Sequence, residues 1–232
     1  MKNNRLHNFL ESIRGEYEES RIVRVNIKEK GRKTTYVVRG RNRCISSIAE
    51  DYFAMLLWRT FKSTKITIFV DQPISLSNRK QPYYPDIVVC KTIKKNEKYE
   101  ILFMIDLKMD VNWHKNSFLK NTNKLEAICK KMKNAKELRG KKGNVIGEKK
   151  GKLEFVINPK ASYDEVIINS KNSIKNRIKM LEASKNKNIN LWVLSKGQHP
   201  NSYKYKKDME PNDDDYNNLI KKMKRIIDKS IG

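Results

Sequence analysis

Ile101-Leu102-Phe103-Met104-Ile105-Asp106-Leu107-Lys108-Met109 is an apolar, strand-like run interrupted by one carboxylate and one ammonium. In an extended strand alternate residues share a face, so Asp106 and Lys108 project one way while Ile105, Leu107 and Met109 project into a core. A charge set amid core residues demands a partner. Upstream, Tyr84-Pro85-Asp86-Ile87-Val88-Val89 is a second apolar run and brings a second carboxylate, Asp86. Paired carboxylates hold a hard divalent cation, and a neighbouring ammonium orients or polarises a water beside it. These are the groups that phosphodiester hydrolysis needs.

The chain has 232 residues, enough for one well-buried domain with an appended arm. No run of about 18 apolar residues occurs, so no membrane-spanning helix is expected. Met1-Lys2-Asn3-Asn4-Arg5 leads into charged sequence with no apolar signal core, and a cytoplasmic protein is expected. Cys44, Cys90 and Cys129 are odd in number and widely spaced, which suits small core residues in a reducing compartment rather than zinc ligands. A formal net charge of +25 predicts a polyanionic partner, since lysines and arginines neutralise phosphates and release counterions. The chain is rich in Lys, Asn and Ile together, as AT-rich coding favours, so charge alone is weaker support than the two motifs.

Along the chain, residues 5–16 suit a short helix. Arg21–Ile27 and Thr34–Val38 alternate as two strands around a polar turn, forming either a basic DNA-contacting arm or an extension of the main sheet. From Ser46 to about Phe61 the pattern is helical and apolar on most sides, the mark of a buried helix. Glu50 shares a face there with Phe53, Ala54 and Leu57, and Asp51 is the competing acid. Lys65–Asp71, Tyr84–Lys91 and Tyr99–Met109 read as strands whose short connections suit antiparallel neighbours. A helix is expected over about 115–138, a short strand at Leu153–Ile157, and a helix opened by a capping box at Ser162-Tyr163-Asp164-Glu165. A strand at Asn190–Leu194 and a last helix near 213–229, with Asp213, Asp214 and Asp215 at its positive start, complete the order. Arg139–Lys152 and Lys196–Glu210 read as irregular, the former as a glycine-rich basic loop without the order of a P-loop. The order α-β-β-β-α-β-α-β-α implies one α/β domain with a mixed sheet.

That order, with these motif positions, resembles the PD-(D/E)xK nuclease superfamily over roughly residues 41–195. Pro85-Asp86 is similar to the family's "PD", and Asp106-Leu107-Lys108 to its "(D/E)xK". The resemblance implies a restriction endonuclease-like three-layer fold with a central mixed β-sheet flanked by helices. Residues 1–40 would then be a helix plus basic hairpin arm packed on the core, and 196–232 a loop and helix of the same domain. It further implies that Asp86, Asp106 and the carbonyl of Leu107 bind Mg2+, with Mn2+ able to substitute, and that Lys108 orients the attacking water or stabilises the pentavalent phosphorus. Glu50 occupies the place of the acidic residue that many members carry on the helix preceding the sheet, and would complete the metal's shell or help hold a second ion.

Around this expected site, Arg79 and Lys80 in the loop between the first two strands are candidates for nucleic-acid contact. Lys115, Lys120 and His114, where a loop enters the next helix, are further candidates, in each case against the plainer reading of a solvated surface side chain. Trp58, Trp113 and Trp192 show no regular interleaving that would build a stacking platform for single strands. The function expected is a Mg2+-dependent endonuclease on double-stranded DNA, of the homodimeric restriction-enzyme kind that two cuts in a duplex call for. A junction resolvase, a defence or transposition nuclease subunit, and a catalytically silent nucleic-acid-binding protein are the alternatives.

Overall fold

The computed structural model describes residues 4–22, 27–29, 32–34, 45–76, 82–94, 97–110, 130, 138–141, 152–169, 189–196 and 209–231. Helix α1 (Asn4–Ile22) is followed by a tight hairpin, β1 (Ile27–Glu29) and β2 (Arg32–Thr34). Helix α2 (Ser46–Phe61) precedes β3 (Ile66–Val70), β4 (Ile74–Leu76), β5 (Ile87–Lys94) and β6 (Lys98–Asp110). Strands β7 (Leu138–Lys141), β8 (Lys152–Asn169), β9 (Ile189–Lys196) and β10 (Glu210–Pro211) lead to helix α3 (Asp213–Ile231).

The main sheet has the order β10-β9-β8-β6-β5-β3. Strands β3, β5 and β6 form the expected antiparallel meander, and β8 and β9 then run parallel to β6. The fold is therefore α/β with a mixed sheet. The first half of β8 also pairs with β7, which pairs with β4, and Ile74 of β4 bridges to Tyr83. These extra pairings curl the sheet back toward the start of β5. The β1-β2 hairpin is a separate two-stranded sheet, so among the described residues it does not extend the main one.

The alternation in β6 sorts its side chains between two cores. Ile105 and Leu107 join the larger core, where α1, α2 and α3 pack Leu10, Phe53, Leu57, Tyr216 and Met223 against the sheet. Met104 faces the other way into a smaller core inside the curl, with Val88, Cys90, Phe155 and Tyr163. Asp106 and Lys108 follow Met104 on that second face. Cys90 is buried and free, as a small core residue should be.

Several expectations are corrected. The first helix runs to Ile22, so Arg21 and Ile22 are helical rather than extended. Leu138 opens a strand, and Arg139–Lys141 continue it instead of starting a loop. The largest change is in β8: Ser162-Tyr163-Asp164-Glu165 is not a helix cap but the middle of a strand reaching Asn169. It is flanked there by β6 and β9, and burial of Val166, Ile167 and Ile168 between layers outweighs the local capping pattern. Residues 111–129, 131–137, 142–151, 170–188 and 197–208 lie outside the described residues, and with them most of the expected helix over 115–138 and the polar stretch after β9.

Helix α3 is stitched to the sheet at its start and along its length. Asn212 donates from Nδ2 to the Val193 carbonyl at 2.8 Å, and Asp215 accepts from the Val193 N–H at 3.0 Å. Farther along, Lys222 Nζ lies 2.7 Å from Oδ1 of Asp164, a carboxylate with 0% exposure. Trp192 Nε1 donates to the same oxygen at 2.7 Å and Ser162 Oγ to Oδ2 at 2.8 Å. Removing one partner of a buried pair leaves an uncompensated charge, which costs about 3–5 kcal/mol. Lys222→Met should therefore lose about that much stability in urea denaturation near pH 7.

Candidate active site

The site forms at the start of β5, where β6 runs on past it. The last β5–β6 pair is Ile87 with Ile105, so among the described residues the edge of β6 facing β5 has no strand beside it from Asp106 onward. Asp86 fills that place. Pro85 before it is buried, and its ring restricts the chain to the extended approach that enters β5. The Asp86 carbonyl accepts from the Asp71 N–H at 2.8 Å. Its carboxylate accepts, at Oδ2, the N–H of Leu107 at 2.6 Å. In an antiparallel ladder a residue's N–H and C=O point to the same side, so the Leu107 carbonyl is directed past the end of β5 as well.

Lys108 joins the two aspartates. Its Nζ lies 3.4 Å from Asp86 Oδ2 and 3.3 Å from Asp106 Oδ2. Burial works to lower the Lys108 pKa, but Asp106 and Asp86 outweigh it and raise it above the ordinary value. At neutral pH the side chain is an ammonium, able to donate to a water or a phosphate oxygen and not to act as a base.

Two glutamates close on this trio from different elements. Glu50, on the second turn of α2, is half-buried; burial, then the charges of Asp86 and Asp71, pushes it up to about 7. Asp51, the competing acid on the same helix, is exposed. Glu165 on β8 is the direct cross-strand neighbour of Asp106 and is 3% exposed. Burial, then Asp106, pushes it up to about 8. Asp86 is also raised, by burial and then by Asp106, against the lowering effect of Lys108 and the Leu107 N–H. Tyr163, two residues before Glu165 on the same face, hydrogen-bonds Asp106 and receives a 2.9 Å hydrogen bond from the Tyr83 hydroxyl. A tyrosine pair thus holds the Asp106 carboxylate from the core side.

Asp86, Asp106, Lys108, Leu107 and Glu50, all expected from the sequence, are brought together. Glu165 and Tyr163 were not expected, because the capping-box pattern assigned them to a helix start. Arg79, Lys80, His114, Lys115 and Lys120 lie outside the described residues. Among the described residues no three His, Cys, Asp or Glu side chains are already gathered into a closed metal cage. Mg2+ does not require one, since it keeps several waters and is commonly held by one or two carboxylates. The chemistry of the donors fits such an ion: each candidate donor is a hard oxygen, and among the described residues four carboxylates face a single ammonium.

No family model matches the chain, and no curated protein or solved structure is similar enough to match it. Among the described residues no helix is long and apolar enough to cross a membrane.

The crowded carboxylates have a consequence for stability. Below the ordinary glutamate value of 4.5, Glu50 and Glu165 are protonated whether the chain is folded or not, and neither destabilises it. As pH rises from there toward about 7 and then about 8, the unfolded chain ionises first and the folded state loses stability. Thermal melts in EDTA should therefore show Tm falling across this window. Glu165→Gln should remove most of the fall, raising stability near pH 8 by on the order of a few kcal/mol. A Tm that climbs with pH in both proteins would contradict the arrangement.

Proposed function

We propose that the protein is a Mg2+-dependent endonuclease acting on DNA, a member of the PD-(D/E)xK class with the restriction endonuclease-like fold. One observation carries the reading: Asp86 and Asp106 converge on Lys108 at the end of a meander strand, with the intervening Leu107 N–H fixed to Asp86 at 2.6 Å. The strand order supports it too, an antiparallel β3-β5-β6 meander followed by a strand parallel to β6. The net charge of +25 suits a polyanionic substrate.

On this reading Asp86, Asp106, the Leu107 carbonyl and Glu50 hold the Mg2+. Once bound, the ion supplies charge neutralisation at the non-bridging oxygens of the scissile phosphate and lowers the pKa of water. The remaining work belongs to the chain. Lys108, held as an ammonium between two aspartates, donates to the attacking water or to the phosphate and stabilises negative charge as the pentavalent phosphorus forms. The Leu107 N–H fixes Asp86 and the Tyr83–Tyr163 pair fixes Asp106 beside Lys108. A twofold dimer that cuts both strands of a duplex at a specific sequence is the form we favour; cleavage confined to four-way junctions would make the protein a resolvase instead.

Supercoiled plasmid incubated with the protein and Mg2+ should be nicked or linearised, with EDTA and Asp106→Ala each abolishing the reaction. Lys108→Ala should slow turnover by at least about 100-fold while still binding metal. Retarded DNA with no cleavage under Mg2+ or Mn2+ would show a silent binding protein, and full activity in Lys108→Ala would refute the role given to the lysine.

A further inference from the structure

Strand β3 closes one side of the main sheet, and among the described residues no strand pairs with its outer edge. The stretch Lys65-Ile66-Thr67-Ile68-Phe69-Val70-Asp71 is β-branched and apolar between one cation and one anion. The Lys65 carbonyl accepts from the Thr92 N–H, and the Asp71 N–H donates to the Asp86 carbonyl, both at 2.8 Å. Alternation therefore turns the backbone groups of Thr67 and Phe69 toward β5 and those of Ile66, Ile68 and Val70 outward. Such an edge is a template for another strand, and folds ordinarily blunt it with charge, proline or a very short strand. The opposite side of the sheet is blunted in that way, since β10 is only Glu210–Pro211 and proline has no N–H to donate. A second feature lies near β3. Trp58, 59% exposed, is the most exposed large apolar side chain among the described residues. The stripe of α2 that faces α1 carries Tyr52, Met55, Leu56 and Arg59; Trp58 is outside it, on a helix that packs on β3 while α1 touches β10.

We propose that the β3 edge is a self-pairing seam, on which a second copy of this chain adds its own β3 antiparallel about a twofold axis at Ile68. Ile68 then exchanges N–H···O bonds with its symmetry mate, and the Val70 N–H donates to the Ile66 carbonyl of the other copy. This register sets Lys65 of each copy opposite Asp71 of the other, so the strand is complementary to itself in charge as well as in backbone pattern. A slip of one residue would bring inward-turned backbone groups to the seam, and a slip of two would lose both charge pairs. The twofold axis of an antiparallel pair is perpendicular to the sheet, so both α2 helices stay on one face and Trp58 of each copy adds apolar area beside the seam. The blunted β10 edges stop the assembly at two copies. Pairing also places Lys65 of the other copy beside Asp71, the residue whose N–H holds the Asp86 carbonyl. The seam stands on the sheet edge alone, whether or not the carboxylate cluster cuts DNA, and it gives the twofold dimer favoured above a definite surface.

Sedimentation of the full chain tests the seam without any cleavage assay. The wild type should sediment as a dimer. Lys65→Asp and Asp71→Lys should each sediment as monomers, because like charges then face each other at both ends of the seam. An equimolar mixture of these two variants should recover the dimer, since each copy again meets opposite charges. Trp58→Ser, a change at an exposed position that leaves the fold intact, should weaken the wild-type dimer at least about tenfold. A monomeric wild type, or a dimer that persists at unchanged affinity in all three variants, would overturn the seam. Either result leaves the nuclease reading intact, because plasmid nicking by the wild type tests that reading separately.

Discussion

Among the described residues, four carboxylates placed around one ammonium, partly out of water, cannot all be ionised at low cost. This electrostatic imbalance is the constraint on which the rest of the structure bears. Glu50 and Glu165 are pushed to about 7 and about 8 because each is buried and then faces further negative charge. A fold selected only for stability would remove such a cluster, because apolar residues of similar size pack without the desolvation cost. The chain instead spends four elements on holding it: α2 brings Glu50, the turn into β5 brings Asp86, β6 brings Asp106 and Lys108, and β8 brings Glu165. Strongly perturbed acids converging from separate elements mark a working site more often than a structural one.

The two cores explain how the cluster is kept in place. The larger core clamps one face of β5, β6 and β8 under the helices, and the smaller one fills the curl of the sheet on the other face. Asp106 and Lys108 sit where the second face runs out beyond Met104, at the point where β5 starts. The backbone there is stiff because β6 is still paired with β8 through Asp106, Leu107 and Lys108. Side chains set on a paired strand are held more closely than side chains on a loop, as a site with in-line geometry requires.

How much of this was legible in the chain depended on whether local pattern and tertiary context agreed. In Met104–Met109 they agree: alternation predicts which residues face the larger core, and Ile105 and Leu107 do so. The buried helix at Ser46–Phe61, the meander and the final helix were legible for the same reason. At Ser162–Glu165 they conflict. The capping-box spacing is a strong local signal, yet the β-branched run Val166-Ile167-Ile168 beside it is strand-like and wins because both faces of β8 are covered. Misreading that one stretch hid Glu165 and Tyr163, whose relevance comes only from lying across from Asp106. The link from β7 to β4 was equally invisible, since Ile74–Leu76 and Leu138–Lys141 are too short to declare themselves as strands alone.

On the proposed reading the cluster is built around a divalent cation and not around Lys108 alone. Anomalous diffraction from a crystal soaked in Mn2+ addresses it most directly. The expected result is a peak within coordination distance of carboxylate oxygens of both Asp86 and Asp106, with Lys108 displaced from the position in which it bridges them. A map with no peak at these residues, and Lys108 still bridging both aspartates, would contradict it.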